Sequence, residues 1–245
     1  MYQEEILYKN SRIKILTDNQ PLISKAYDEL VKQRTLIEQY IEKNKFFQTT
    51  LEPIKIEKNA PEIVKLMAQG AKLANVGPMA AVAGTIAEFI CKDMVKKGAN
   101  VAIVENGGDI FAITNTTIKV GLFSGNNKLS GKLAFELNKD NTPLSICSSS
   151  SLLGHSLSFG KCDLATVFSK KSYVADAVAT AVGNKVKKES DIPKTLHWAI
   201  NLKDVGGVII IKNDKIGIIG DIPRLIKSED ENIKNKITKE DFYKL

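Results

Sequence analysis

Glu105-Asn106-Gly107-Gly108-Asp109-Ile110 joins one apolar run, residues 101–104, to a second, residues 110–113. Two adjacent glycines release the backbone from the usual limits on φ, so the chain turns sharply there or lets another group approach its amides. An Asx-Gly pair between apolar runs is a hairpin signal, and taken alone the stretch reads most simply as a turn. It also gathers three acceptor side chains, Glu105, Asn106 and Asp109. Two other stretches of similar character give that grouping a chemical meaning.

The first lies upstream, in Val76-Gly77-Pro78-Met79-Ala80-Ala81-Val82-Ala83-Gly84-Thr85. Pro78 suits the first turn of a helix that continues through Ile86, Phe89 and Ile90 to about Lys97. Its opening turns are almost entirely Ala and Gly. Small residues there, Gly77 and Gly84 among them, leave N-terminal amides open to an anion, which the helix dipole favours. They equally suit tight packing of the helix on a neighbour, and both readings stand at this point.

The second lies downstream. A short strand at residues 144–147 runs into Ser148-Ser149-Ser150-Ser151 and then Gly154-His155-Ser156-Leu157-Ser158-Phe159-Gly160. Serine clusters mark loops, and this one is bracketed by a further apolar run at 164–168, which keeps it close to a sheet. A helix over about 172–183 follows and is apolar nearly all round, hence buried. Within it Asp176 and Thr180 stand four apart and share a face, at roughly 5–6 Å between Cβ atoms. A buried carboxylate is paired, protonated or bound to metal. Two hard oxygen donors one turn apart suit Mg²⁺, which takes few protein ligands and completes its shell with water and phosphate. The alternative has Asp176 accepting from backbone amides of a neighbouring loop, with Thr180 bonding back to its own helix.

The remaining segments read as ordinary elements. Residues 1–16 make a hairpin about Lys9-Asn10-Ser11, and a long helix over about 21–43 sets Ile23, Tyr27, Leu30, Ile37 and Ile41 on one face. Arg34 falls on the same stripe and needs an anionic partner, a carboxylate of another element or a ligand phosphate, of which the carboxylate is the simpler. Residues 51–56 read as a strand. Asn59 reads as the cap of a helix, with Pro61 in its first turn, running to about Ala74. Strands are expected at 118–123 and 132–137, in one antiparallel sheet with the others. A helix near 196–201, a hairpin of 208–212 with 215–219 and a polar tail from about 228 complete the chain. No repeat or linker composition appears, so one domain over residues 1–245 is expected, of α+β class, with an antiparallel or mixed sheet flanked by helices.

Bulk properties narrow the function classes. The 245 residues are 43% apolar and 26% charged, ordinary for a globular protein with a sizeable core. The net charge of +7 comes from lysines interleaved with acids, without an aromatic-laced basic stripe, so nucleic-acid binding is not indicated. Three cysteines, Cys91, Cys147 and Cys162, without a CxxC pair argue against a disulfide framework and for a reducing compartment. Two histidines, His155 and His197, cannot build a multi-histidine metal site. No signal-peptide pattern opens the chain and no apolar run nears the roughly 20 residues of a membrane span, so a cytoplasmic protein without a membrane segment is expected.

The three blocks, in order, resemble the ApbE-like superfamily of flavin transferases. There a Gly-rich segment opens a helix, a strand ends in Asn-x-Gly-Gly-Asp, and a late helix carries Ala-Asp-Ala-x-x-Thr-Ala, here Ala175-Asp176-Ala177-Val178-Ala179-Thr180-Ala181. This likeness spans about residues 60–185. An ApbE-related family of archaea and some bacteria is more similar still. Its Val-Gly-Pro-Met-Ala-Ala-Val-Ala-Gly, Val-Glu-Asn-Gly-Gly-Asp-Ile and Gly-His-Ser-Leu-Ser-Phe-Gly blocks stand here at 76–84, 104–110 and 154–160.

The resemblance implies a pocket for FAD or FMN with Mg²⁺. Asp176 and Thr180 would ligate the metal. Gly77, Gly84, Glu105, Asn106, Gly107, Gly108, Asp109 and Ser156 would border the cofactor. His155 would be the general acid or base, or else a loop histidine bonded to the serines around it. Two departures weigh against flavin transfer itself. Where transferases carry Lys-Gly-x-x-x-Asp this chain has Ala83-Gly84-Thr85-Ile86-Ala87-Glu88, and the stretch after His155 lacks their Asp-Pro. The expected function is therefore binding of a phosphate-bearing small ligand, with a protein partner left open. The resemblance also implies two alternatives. One is a part in sulfide incorporation during homocysteine formation in archaea, with Cys147 as a thiol carrier rather than a small buried apolar residue. The other is a non-catalytic binding protein.

Overall fold

Two sheets and six helices build the computed structural model, which describes residues 1–122, 133–150 and 162–227. Their order is β1 (Tyr2–Tyr8), β2 (Ser11–Thr17), α1 (Leu22–Lys43), α2 (Phe46–Thr49), α3 (Glu62–Ala74) and α4 (Val82–Lys96). There follow β3 (Val101–Asn106), β4 (Asp109–Thr114), β5 (Ile118–Leu122), β6 (Leu133–Leu137), β7 (Leu144–Ser149) and β8 (Leu164–Ser169). The chain continues with α5 (Ser172–Lys185), α6 (Ile192–Ile200), β9 (Gly207–Lys212), β10 (Lys215–Gly220) and β11 (Arg224–Lys227). Eight strands form one sheet in the order β1-β2-β3-β4-β7-β8-β9-β10, and a second sheet runs β11-β6-β5. Every pair is antiparallel. The α+β expectation holds, with its mixed-sheet option resolved to antiparallel among the described strands.

The alternation of side chains along each strand divides the apolar residues between two cores. Ile13, Ile15, Val104, Phe111, Cys147, Val167 and Ile210 face the helices. Their neighbours Ile103, Ala112, Ile146, Phe168, Ile209 and Ile211 face the small sheet, packing with Phe135 and Leu137. The rings of Phe135 and Phe168 meet edge-on, 5.0 Å apart at 81°. Such a pair contributes roughly 0.5–1.5 kcal/mol beyond its burial and ties the two sheets together.

α5 is the hub of the helical layer. Its residues from Ser172 to Gly183 are all buried, because β7 and β8 lie on one side and α3 and α4 on others. The approach of α3 is close enough to need a glycine: a Cβ at Gly70 would stand 2.0 Å from the Tyr173 carbonyl oxygen.

Several expectations are corrected. Residues 51–56 form no strand; Pro53 lacks an amide donor, and the segment instead follows the short α2 as irregular chain. The N-cap position before α3 is Pro61 rather than Asn59. Residues 78–81 form a separate 3₁₀ turn before α4, bending the chain where one continuous helix was expected. Residues 118–122 and 133–137 join the second sheet, and β11, unanticipated, pairs with β6. Tyr27 is exposed and meets Tyr8 edge-on rather than entering the core. Arg34 finds carboxylate and amide partners through one nitrogen, Nη2 donating to Glu38 Oε1 at 3.2 Å and Asn10 Oδ1 at 3.0 Å; the carboxylate belongs to its own helix, and Nε is buried without a partner among the described residues.

Candidate functional site

The Gly107-Gly108 turn is a two-residue hairpin loop closed by Asn106 opposite Asp109. Both glycines have positive φ, +61° and +94°, the combination a type I′ turn demands. Pairing in register sets Asn106 and Asp109 on the helix-facing side with Val104 and Phe111, and Glu105 with Ile110 on the other. The three acceptors that are adjacent in sequence are thus split between two faces.

Asn106 and Asp109 tie the turn to the layer behind it. Asn106 Nδ2 donates to the Ala83 carbonyl at 3.1 Å, at the start of α4. The β4–β7 register runs to Ile110 opposite Ile146. Beyond it the Asp109 side chain takes over, accepting from the Ser148 amide at 3.1 Å. Asp176 reaches the same place from α5: its Oδ2 accepts from the Gly84 amide at 2.8 Å. A Cβ at Gly84 would lie 3.0 Å from both the Asp176 Cβ and Cys147 Sγ, so only glycine lets the carboxylate approach.

The anion at the opening of α4 is therefore a side chain of the protein itself, which is the backbone-amide alternative for Asp176. Gly77 serves packing: a Cβ there would be 2.0 Å from the Thr50 carbonyl oxygen. α4 returns the favour to α5. Glu88, 4% exposed, accepts from the Ser172 amide at 2.6 Å, so each helix has its N-terminal amide capped by an acid of the other.

The carboxyl groups of Asp109 and Asp176 meet in hydrogen-bonding contact, both buried. Burial raises the Asp109 pKa to about 7, against the Ser148 amide that favours its ionised form. Burial and then the Asp109 charge push Asp176 well above the carboxylate range. Two acids held so close share a proton or a cation. Thr180, one turn along α5, is 9% exposed.

A matched ladder extends the site along α5 and β7. Ser172 Oγ donates to Ser145 Oγ at 2.8 Å, and Asp176 and Cys147 meet one step further on, about the Gly84 position. Ser149, two residues past Cys147, and Thr180, four residues past Asp176, each stand one step further along their own elements. Ser149 Oγ is buried and has no hydrogen-bond partner among the described residues. Sequence reading grouped Ser149 with a polar loop; the signal that finds it is its spacing, two residues past Cys147 on the helix-facing side.

Among the described residues no group of three or more His, Cys, Asp and Glu side chains is arranged for a metal ion. The donor set here is the sparser one that Mg²⁺ takes: the carboxylates of Asp109 and Asp176, with the Thr180 hydroxyl one turn along α5, all hard oxygens. These residues fit such an ion. Cys91, Cys147 and Cys162 are all fully buried, and burial pushes each thiol up, Cys162 to about 12. His155 and Ser156 lie outside the described residues. His197, on α6, is exposed at the far end of the sheet.

A family model described as AbpE bacteria matches residues 5–204. The chain belongs to this family. Full-length relatives agree with that membership. The UPF0280 protein of Methanococcus vannielii is 42% identical over 233 residues, covering 94% of this chain and 94% of its own. That of Methanocaldococcus jannaschii is 40% identical over 233 residues, covering 93% and 94%. Among solved structures, the ApbE protein of Thermotoga maritima superposes with a TM-score of 0.62 at 10% identity, over 93% of this chain and 97% of that one. The flavin transferase ApbE of Vibrio cholerae gives 0.52 at 12% identity, over 89% and 96%. At such identities the likeness is one of fold, so the ApbE-like architecture read from three short motifs is the architecture of the molecule. No single described helix is long and apolar enough to cross a membrane.

Proposed function

We propose that this AbpE-family protein binds a phosphate-bearing flavin nucleotide together with Mg²⁺, and that it binds rather than transfers the flavin. The observation that carries the reading is the buried Asp109–Asp176 pair, which a divalent cation would neutralise. Asp176 and Thr180 would hold the ion, with Asp109 across from them. Bound there, Mg²⁺ would supply positive charge to a phosphate. The Gly107-Gly108 turn supports close approach of a ligand, since a Cβ at Gly108 would meet nothing within 4 Å. Fold neighbours whose names are flavin transferases support the flavin. The alanine at position 83, where transferases carry lysine, supports binding without transfer.

Calorimetric titration of the protein with FAD, with and without Mg²⁺, tests this. FAD is expected to bind only with Mg²⁺ present, and Asp176→Ala to weaken that binding by at least about tenfold, the scale on which metal-site changes act. No heat at high micromolar FAD with Mg²⁺, or equal affinity in the variant, overturns the reading.

Ser149 sharpens it. An orphan buried hydroxyl is a cost to the empty protein, so Ser149→Ala is expected to leave the melting temperature unchanged or slightly raised. The same variant is expected to lose several-fold in affinity for FAD with Mg²⁺, the hydroxyl then being a donor to the ligand or its hydrated ion. A lowered melting temperature with full affinity would make Ser149 a packing residue.

A further inference from the structure

The eight-stranded sheet ends on two edges of different character. β1 carries Glu4 and Glu5, charges that discourage another strand from pairing there. β10 reads Lys215-Ile216-Gly217-Ile218-Ile219-Gly220, and its outward-facing Ile216 and Ile218 are 41% and 46% exposed. Along this edge runs a groove of about 690 Å³ between β10 and α6, with Ile192, Pro193 and Leu196 on its helical wall. Among the described strands β10 pairs only with β9.

The hairpin fixes which backbone groups are free. Lys212 and Lys215 close a two-residue turn and face each other in register. A closing pair exchanges both its hydrogen bonds, so Lys215, Gly217 and Ile219 turn their amides and carbonyls toward β9. Ile216, Ile218 and Gly220 turn theirs outward.

We propose that β10 is the contact surface of a homodimer, pairing antiparallel with β10 of a second copy about a two-fold axis at Ile218. The register is self-complementary, as a two-fold interface requires. Ile218 meets Ile218 of the second copy, and Ile216 meets Gly220. At the ends Lys215 comes level with Asp221 of the second copy, twice over. Both residues are exposed, and neither makes an ion pair among the described residues. An acid at one end of the strand and a base at the other favour this antiparallel self-pairing over pairing with an unrelated strand. The groove beside α6 would then be closed by the second copy.

Light scattering on the full-length chain after size exclusion tests this. A mass twice that of the chain is expected. Ile218→Lys, which puts a charge on the edge without entering the core, is expected to give a monomer with an unchanged circular-dichroism spectrum. Lys215→Asp is expected to weaken the dimer, and Lys215→Asp combined with Asp221→Lys to restore it. A monomer at every concentration tried overturns the proposal, and this includes the case in which the chain's own residues after 227 cover the edge. A dimer indifferent to both Ile218→Lys and the charge exchange also overturns it.

Discussion

Ligand-free protein is expected to lose stability as pH rises from about 4 to about 7, and Asp109→Asn is expected to remove the share of that loss that Asp109 contributes. The sign follows from the direction of the shift. Unfolded, Asp109 titrates near 3.8; folded, burial raises it to about 7. Between these values the folded state holds a proton that the unfolded state has released, so unfolding free energy falls with pH across that window and levels off above it. The Asp176 carboxyl, pushed up in the same direction, adds to the effect. The Asp109 shift alone corresponds to roughly 4 kcal/mol by about pH 8.

Asparagine at 109 keeps an acceptor for the Ser148 amide and offers an NH₂ to Asp176, without a charge to bury. Melting curves at pH 5 and pH 8 check this. The wild type is expected to melt several degrees lower at pH 8, and the variant to show a smaller drop, the part that buried Asp176 contributes. Parallel pH profiles for the two proteins would refute the account. Added Mg²⁺ is expected to raise the wild-type melting temperature at pH 8, where the uncompensated pair costs most.

Gly70→Ala is expected to be the most damaging single-methyl change in the helical layer. Its Cβ would fall 2.0 Å from the Tyr173 carbonyl oxygen, a backbone atom that cannot swing aside. Relief requires α3 and the first turn of α5 to part, at about 3 kcal/mol, the upper range for overpacking. For a chain of this size that lowers the melting temperature by roughly 6–12 °C. Because Asp176 sits on the next turn of α5, FAD affinity measured well below the melting temperature is expected to fall as well. Gly98→Ala provides the contrast, since a Cβ there meets nothing within 4 Å and only its positive φ is strained. Equal melting temperatures for Gly70→Ala and wild type would show that the helices yield more easily than their backbone contact implies.

The elements were largely legible in the sequence because their signals are local. The hairpins, the stripe of α1 and the all-apolar α5 each follow from spacing and turn residues over a few positions. Assignment of strands to sheets was less so. β5 and β6 alternate as the strands of the large sheet do, and only the long-range pairing with β11 separates them. Glu105 was grouped with Asn106 and Asp109 by adjacency, yet in a strand adjacency means opposite faces. The meeting of Asp109 with Asp176 could be suspected from motif order but not its consequence. That Asp176 itself occupies the amide of Gly84 depends on a contact between residues 92 positions apart. Ser149 was hidden in a run of four serines, distinguished only once β7 was known to end there.

The exchanged caps of α4 and α5 fix more than two helix ends. Asp176 to Gly84 and Glu88 to Ser172 are two bonds running in opposite senses between antiparallel neighbours. Sliding either helix along its axis in one direction strains both bonds together, and sliding it in the other does the same. The pair therefore has a single axial registration, locked the way two opposed pins lock a sleeve on a shaft. Asp176, the acid proposed to hold the ion, is one of the pins, so its axial position is set by the machinery that aligns the helices.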